Sequence, residues 1–151
     1  MRCFFRMSDL ATGNLIEMRD ITDEIINYIR ESQIKNGHIL IQPMHTTVGI
    51  YLNEGSLNLN LVKEIDLRFF FEHGCLPNNK DNKRDCSTNE LFNHHAYLKS
   101  MFFSNPNLSL IIFGGKLQIG EGQRILFAEF DGPCPRDHKD RRRYVISIIG
   151  A

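Results

Sequence analysis

HILIQPMHTTVGIYLNE (residues 38–54) decides the fold class. It is dense in Ile, Val, Leu, Tyr and Thr, side chains that fit a pleated, half-buried surface. Pro43 has no N–H to give to a sheet ladder, so it marks a bulge or an edge within the run. With 44–54 as a strand, alternation sends Met44, Thr46, Val48, Ile50 and Leu52 to one face, a plain core face. His45, Thr47, Gly49, Tyr51 and Asn53 go to the other, which is polar and has a glycine where a second group can approach closely. Taken alone, that second face suits the exposed side of a half-buried strand better than a site.

Strands also dominate on either side. RCFFRM reads as a strand, SDLATGN as a turn and LIEMRDI as a return strand, which makes residues 2–21 a hairpin. Thr22 is a helix N-cap, with Asp23 and Glu24 in the first turn where negative charge is favoured. Ile25, Ile26 and Ile29 form the apolar stripe of a helix that ends near Lys35-Asn36-Gly37. SLNLNLVKEIDLRFFFEHG (56–74) is helical by pattern, with Leu59, Val62, Ile65 and Phe69 near one face. CLPNNKDNKRDCSTN (75–89) is a polar loop, of a length that usually serves a site or is disordered. Ser87 or Thr88 caps a third helix, NELFNHHAYLKSMFF (89–103). The C-terminal third is β: LSLIIF (108–113), a Gly-Gly-Lys turn, LQI, QRILFAEFDG (123–132) and RYVISII (143–149). The expected class is α+β, a single domain over 1–151 built as a mostly antiparallel β-sandwich with two or three helices on one side.

Composition narrows the function. Lys plus Arg and Asp plus Glu both number 18, so the basic excess of a nucleic-acid-binding domain is missing. The one basic cluster, RDHKDRRR (136–143), is diluted by Asp137 and Asp140. No apolar run approaches a membrane span, and the N-terminal residues lack the apolar core of a signal peptide. Cysteines at 3, 75, 86 and 134 form no Cys-x-x-Cys pair, a pattern of reduced cytoplasmic thiols that argues against a cysteine zinc site.

Three stretches hold candidate chemistry. His45 and its neighbours form the first. In the second, NHHAY (93–97), the adjacent His94 and His95 diverge by about 100° on a helix, so one points away when the other faces a site. Neutral imidazoles are common metal ligands. In the third, GEGQRILFAEFDG (120–132), Gln123, Glu129 and Asp131 share a strand face. Two neighbouring carboxylates repel unless a cation or a shared proton relieves them. Glu129 and Asp131 are therefore candidates for acid–base or divalent-metal work, or else carboxylates salt-bridged to Arg124 or to the arginines at 141–143.

Taken in order, TGNLIEMRDITDEI, NGHILIQPMHTTVGIYLNE, HAYLKSMFF and GGKLQIGEGQRILFAEFDGP resemble the YjbQ-like family, an uncharacterised-protein family also described as secondary thiamine-phosphate synthase. The match runs from about residue 12 to the C-terminus. The resemblance implies a homotrimer, with sites near subunit interfaces where several histidines gather around a metal or an anion. It places the family's His-Thr-Thr histidine on His45 and a second family histidine on His95. It places Tyr97, a poor zinc ligand, where the helix of the family carries a histidine. A shift in the helix would let His94 or His95 compensate.

Gln123, Glu129 and Asp131 are the implied catalytic residues. Thr46, Thr47, Asn53, Lys99 and Arg124 are the candidate substrate contacts. The implied reaction joins a pyrimidine pyrophosphate to a thiazole phosphate and expels pyrophosphate, which calls for cationic groups or Mg²⁺. The alternatives are a non-catalytic trimer that binds a metal (Zn or Mg), phosphate or another small anion, and, more remotely, a metal-dependent hydrolase. All three place the protein in the cytoplasm, with neither nucleic acid nor membrane as partner.

Overall fold

Isoleucine builds the core. Among the residues the structure describes, eleven of the fourteen side chains in the main buried cluster are Ile, and they come from in and around the helix and from both sheets described below. Their stiff, branched side chains suit the pleated surface that supplies most of them. The computed structural model describes residues 1–14, 16–55, 107–132 and 141–151. The elements are β1 (Arg2–Leu10), β2 (Glu17–Asp20), α1 (Thr22–Ser32), β3 (Gly37–Pro43), β4 (Val48–Glu54), β5 (Leu108–Phe113), β6 (Lys116–Leu117), β7 (Gln123–Glu129) and β8 (Arg142–Gly150). One sheet has the order β1-β8-β3-β5-β6 and the other β2-β7-β4. Every described strand pairing is antiparallel.

The expected N-terminal hairpin does not form. β1 pairs with β8 along its whole length, from Arg2↔Gly150 to Leu10↔Arg142. β2 pairs with β7 in the other sheet, from Glu17↔Glu129 to Asp20↔Leu126. The turn residues between them serve a crossover. The Glu17 carboxylate holds that crossover in place by accepting the backbone N–H of Gly13 at 2.6 Å and of Asn14 at 3.1 Å.

The helix begins where the sequence indicates, but Thr22 is its first residue and Ile21 occupies the cap position. Asp20 accepts the Thr22 N–H at 2.9 Å, and the Thr22 hydroxyl accepts the Ile125 N–H at 2.7 Å. Thr22 thus ties α1 to β7. The helix ends before Lys35-Asn36-Gly37, because Gln33 turns into the left-handed region at φ 56. Gly37 serves close packing: a Cβ there would sit 2.1 Å from the Ile149 carbonyl oxygen.

Ile39, Ile41, Ile112, Ile146 and Ile148 line the inner face of the five-stranded sheet. Alternation puts Phe5, Met7, Ile111 and Phe113 on its outer face, where all four are exposed. Phe113, at 69%, and Phe5, at 65%, are the most open of them. The helices expected over 56–74 and 89–103, and the loop between them, lie outside the described residues, among which α1 is the one α-helix. No described helix is long and apolar enough to cross a membrane.

Candidate functional site

The site grows out of the core face of β7. Ile125 and Phe127 point into the interior, and two residues on, so does Glu129. Its Cα neighbours are Glu17 on β2 and Val48 on β4. Glu129 is fully buried, so its charge and lone pairs require partners. The Thr47 hydroxyl donates to Oε1 at 2.7 Å, and the Asp131 N–H donates to the same oxygen at 2.8 Å. The Arg142 Nε–H donates to Oε2 in a salt bridge whose members are 4% and 0% exposed.

Arg142 reaches this position by strand alternation. Tyr144, Ile146 and Ile148 point inward on β8, and stepping back by two puts Arg142 on the same face. Arg141 and Arg143 are exposed, and Arg141 pairs with Asp9 at 3.0 Å. Of the alternatives left open for the acidic pair, Glu129 takes the ion pair with an arginine of 141–143.

The far side of the Arg142 guanidinium meets His45, with Nη1 3.0 Å from Nε2. Nδ1 of the same ring lies 2.9 Å from the Thr47 hydroxyl. His45, Thr47, Glu129 and Arg142 therefore close a ring of hydrogen bonds. Thr47, Glu129 and Arg142 are buried, while His45 is exposed.

The route by which Thr47 arrives differs from the strand alternation expected for 44–54. Residues 45–47 form a turn, closed by the Val48 N–H on the His45 carbonyl at 3.3 Å, and β4 begins at Val48. The turn swings Thr47 onto the Glu129 side, whereas Gly49, Tyr51 and Asn53 follow the opposite face. Met44 and Thr46 are exposed instead of continuing the core face of Val48, Ile50 and Leu52. Tyr51 lies within 3.6 Å of the Met18 sulfur, and burial pushes its phenol up to about 12.

Of the remaining described candidates, Asp131 stays near the ring, whereas Gln123, Asn53 and Arg124 lie elsewhere. Asp131 is beside Glu129 and buried. Gln123 is six residues from Glu129 at the other end of β7. At the rise of a strand, that places it about 20 Å away. Its side-chain oxygen accepts the Gly120 N–H at 2.7 Å. Arg124 and Asn53 face each other at that same end, where Arg124 binds Asp20 at 2.5 Å and Asp23 at 3.1 Å. These three do not join the ring, because they sit at the end of the sheet opposite Glu129. His94, His95, Tyr97 and Lys99 lie outside the described residues. Among the described residues no three His, Cys, Asp or Glu side chains gather as a metal site.

One further polar group lies along the inner face. Glu24 accepts the Ser8 hydroxyl at 2.5 Å and the Tyr28 hydroxyl at 2.7 Å. Burial raises the Glu24 pKa, but hydrogen bonds from its hydroxyl neighbours outweigh that, and the carboxyl is held below its ordinary range.

Residues 7–151 match the model of the UPF0047 protein YjbQ-like family. The UPF0047 protein MJ1081 of Methanocaldococcus jannaschii is 36% identical over 141 residues, covering 93% of this chain and 91% of that protein. The UPF0047 protein YugU of Bacillus subtilis is 31% identical over 130 residues, covering 84% and 89%. Among solved structures, a YbjQ-like protein of unknown function from Sulfolobus solfataricus superposes with a TM-score of 0.76 at 27% identity, over 99% of both chains. A yjbq/upf0047 family protein from Clostridium acetobutylicum gives 0.72 at 28%, over 95% of this chain and 99% of that one. With the family model spanning nearly the whole chain and a relative above one-third identity, this protein belongs to the YjbQ-like UPF0047 family.

Proposed function

We propose that this chain binds a small phosphate-bearing ligand at the mouth formed by His45 and Arg142. The supporting observation is that Arg142, a buried cation anchored by Glu129, lies 3.0 Å from a ring nitrogen of the exposed His45. A guanidinium fixed in this way keeps its fork aimed, and planar N–H forks suit phosphate oxygens. Glu129 acts here as an anchor for Arg142 and Thr47, with three donors already on its oxygens, and not as the base.

Asp131 adds negative charge at the same end, which favours a phosphate that arrives with a divalent ion such as Mg²⁺. A ligand of that kind is what a thiamine-phosphate synthase handles, and this is the second reading. The open apolar face of the five-stranded sheet supports the homotrimer, since exposed patches of this type usually mark interaction surfaces.

Calorimetric titration with inorganic phosphate and with Mg²⁺-pyrophosphate tests the first reading. The wild type is expected to bind at least one of them, and His45→Gln to bind about tenfold more weakly, the loss of roughly one charge-assisted hydrogen bond. Absence of binding by the wild type overturns the reading. Rescue of a thiamine auxotroph tests the second, and failure to rescue removes the transferase while leaving the binding site standing.

A further inference from the structure

The direction of every hydrogen bond in the ring is fixed by its two ends. Arg142 has only N–H donors. With the two nitrogens 3.0 Å apart, the Nε2 of His45 must therefore accept. Glu129, ionised against that arginine, only accepts. The Thr47 hydroxyl, 2.7 Å from Oε1, must spend its single proton there. The Thr47 oxygen then has only lone pairs to offer His45, whose Nδ1 is 2.9 Å away and must carry the proton. Both ends demand the same tautomer. The Thr47 backbone N–H also points at Nδ1, but from 3.3 Å. That longer contact yields, because satisfying it would set an Nε2–H directly against the Arg142 N–H.

We propose that Thr47 is a positioning residue that holds His45 in the Nδ1–H tautomer, leaving the nitrogen that faces Arg142 as a proton acceptor. The proposal deepens the phosphate reading and rests on it for its consequence. A phosphate oxygen that takes the Arg142 N–H leaves the Nε2 lone pair facing that same oxygen. One proton must fill the gap, from the P–OH of a monoprotonated phosphate or from solvent. The site therefore selects a phosphate that carries or recruits one proton. Among the described residues, the groups around His45 include Arg142 at Nε2 and the Thr47 hydroxyl at Nδ1, with Glu129 beyond Thr47 and Asp131 bonded to Glu129 through its backbone.

The test uses the ligand-free full chain with ¹⁵N-labelled histidine, and long-range ¹H–¹⁵N spectra assigned with His45→Gln. The wild type is expected to show a protonated Nδ1 and a bare Nε2 at His45. Thr47→Val, which keeps the shape and removes the hydroxyl, is expected to shift His45 toward the Nε2–H form, and Thr47→Ser to restore the wild-type pattern. A wild-type Nε2–H tautomer, or an unchanged pattern in Thr47→Val, overturns the proposal, and the wild-type spectrum decides even if Thr47→Val fails to fold. Titration with a phosphate monoester, phenyl phosphate, forms the second arm. Affinity is expected to fall as pH rises between about 5 and 7, as the monoprotonated monoester loses its one P–OH proton. Thr47→Val should weaken binding about tenfold and Thr47→Ser by less than about twofold. The intended tautomer without phosphate binding leaves the role of Thr47 intact and sinks the phosphate reading alone.

Discussion

Each end of strand β7 carries an arginine bound to carboxylates. At one end Arg142 meets Glu129, with 4% and 0% of the side chains exposed. At the other Arg124 meets Asp20 and Asp23, with 34%, 38% and 81% exposed. Both places join a guanidinium to carboxylate at short distance, but the solvent differs. Water and salt screen the second cluster and solvate its members when the pair opens. The first cluster has neither remedy, so each member depends on the other, and the geometry around them is correspondingly fixed. That fixity is why the buried end orients a histidine, whereas the exposed end fastens a helix start to a strand.

The largest effect should come from splitting the buried pair. Arg142→Met leaves the Glu129 charge in a dry interior and is expected to cost about 3–5 kcal/mol in urea denaturation. Replacing both partners, with Glu129→Leu added, should recover most of the loss, because no stranded charge remains. A loss under about 1 kcal/mol for Arg142→Met would erase the contrast between the two ends.

Acid should act at both ends through β2. At the buried end burial raises the Glu17 pKa, but the N–H groups of Gly13 and Asn14 and the Arg19 guanidinium outweigh it and hold the carboxyl below its ordinary 4.5. At the exposed end burial likewise raises the Asp20 pKa, and hydrogen bonds to Thr22 and Arg124 bring it below 3.8. A depressed folded-state value gives stability that is complete above the unfolded value and disappears as pH falls through the folded one. Stability should therefore decline below about pH 4.5. Glu17→Gln should make that decline shallower; an unchanged acid limb would show that Glu17 contributes nothing to it.

The smallest effect is expected at Arg124. Arg124→Gln should cost no more than about 1 kcal/mol, and the difference from wild type should shrink as salt is raised. A cost equal to that of Arg142→Met, or one insensitive to salt, would mean that exposure does not govern these pairs.

Much of the β structure was legible because strands leave local marks. LSLIIF, QRILFAE and RYVISII fall on β5, β7 and β8, and the helix start is set by the acidic turn after Asp20. Partner choice was not legible. SDLATGN has the composition of a tight turn, yet it spans two sheets, since pairing depends on the distant strands β8 and β7. The site shows the same division. His45, Thr47 and Glu129 were each visible as polar residues in strand-like runs. Arg142 stood among three arginines, and the mark that singles it out is its register with Tyr144, Ile146 and Ile148, a periodicity that continues two residues past the apolar run. Gln123 was drawn into the candidate set because a shared strand face records direction and says nothing of the distance along it, and Arg124 entered as a cation without regard to where it sits along the strand.

The ring has a topological property. Glu129 belongs to the three-stranded sheet and Arg142 to the five-stranded one, and 82 residues separate Thr47 from Glu129. The ring cannot close inside either sheet alone. A sideways slip of the sheets by an ångström or two lengthens its bonds past hydrogen-bonding range and releases the imidazole. His45 is thus held ready only while the two sheets are docked, and its proton serves as a gauge of that docking.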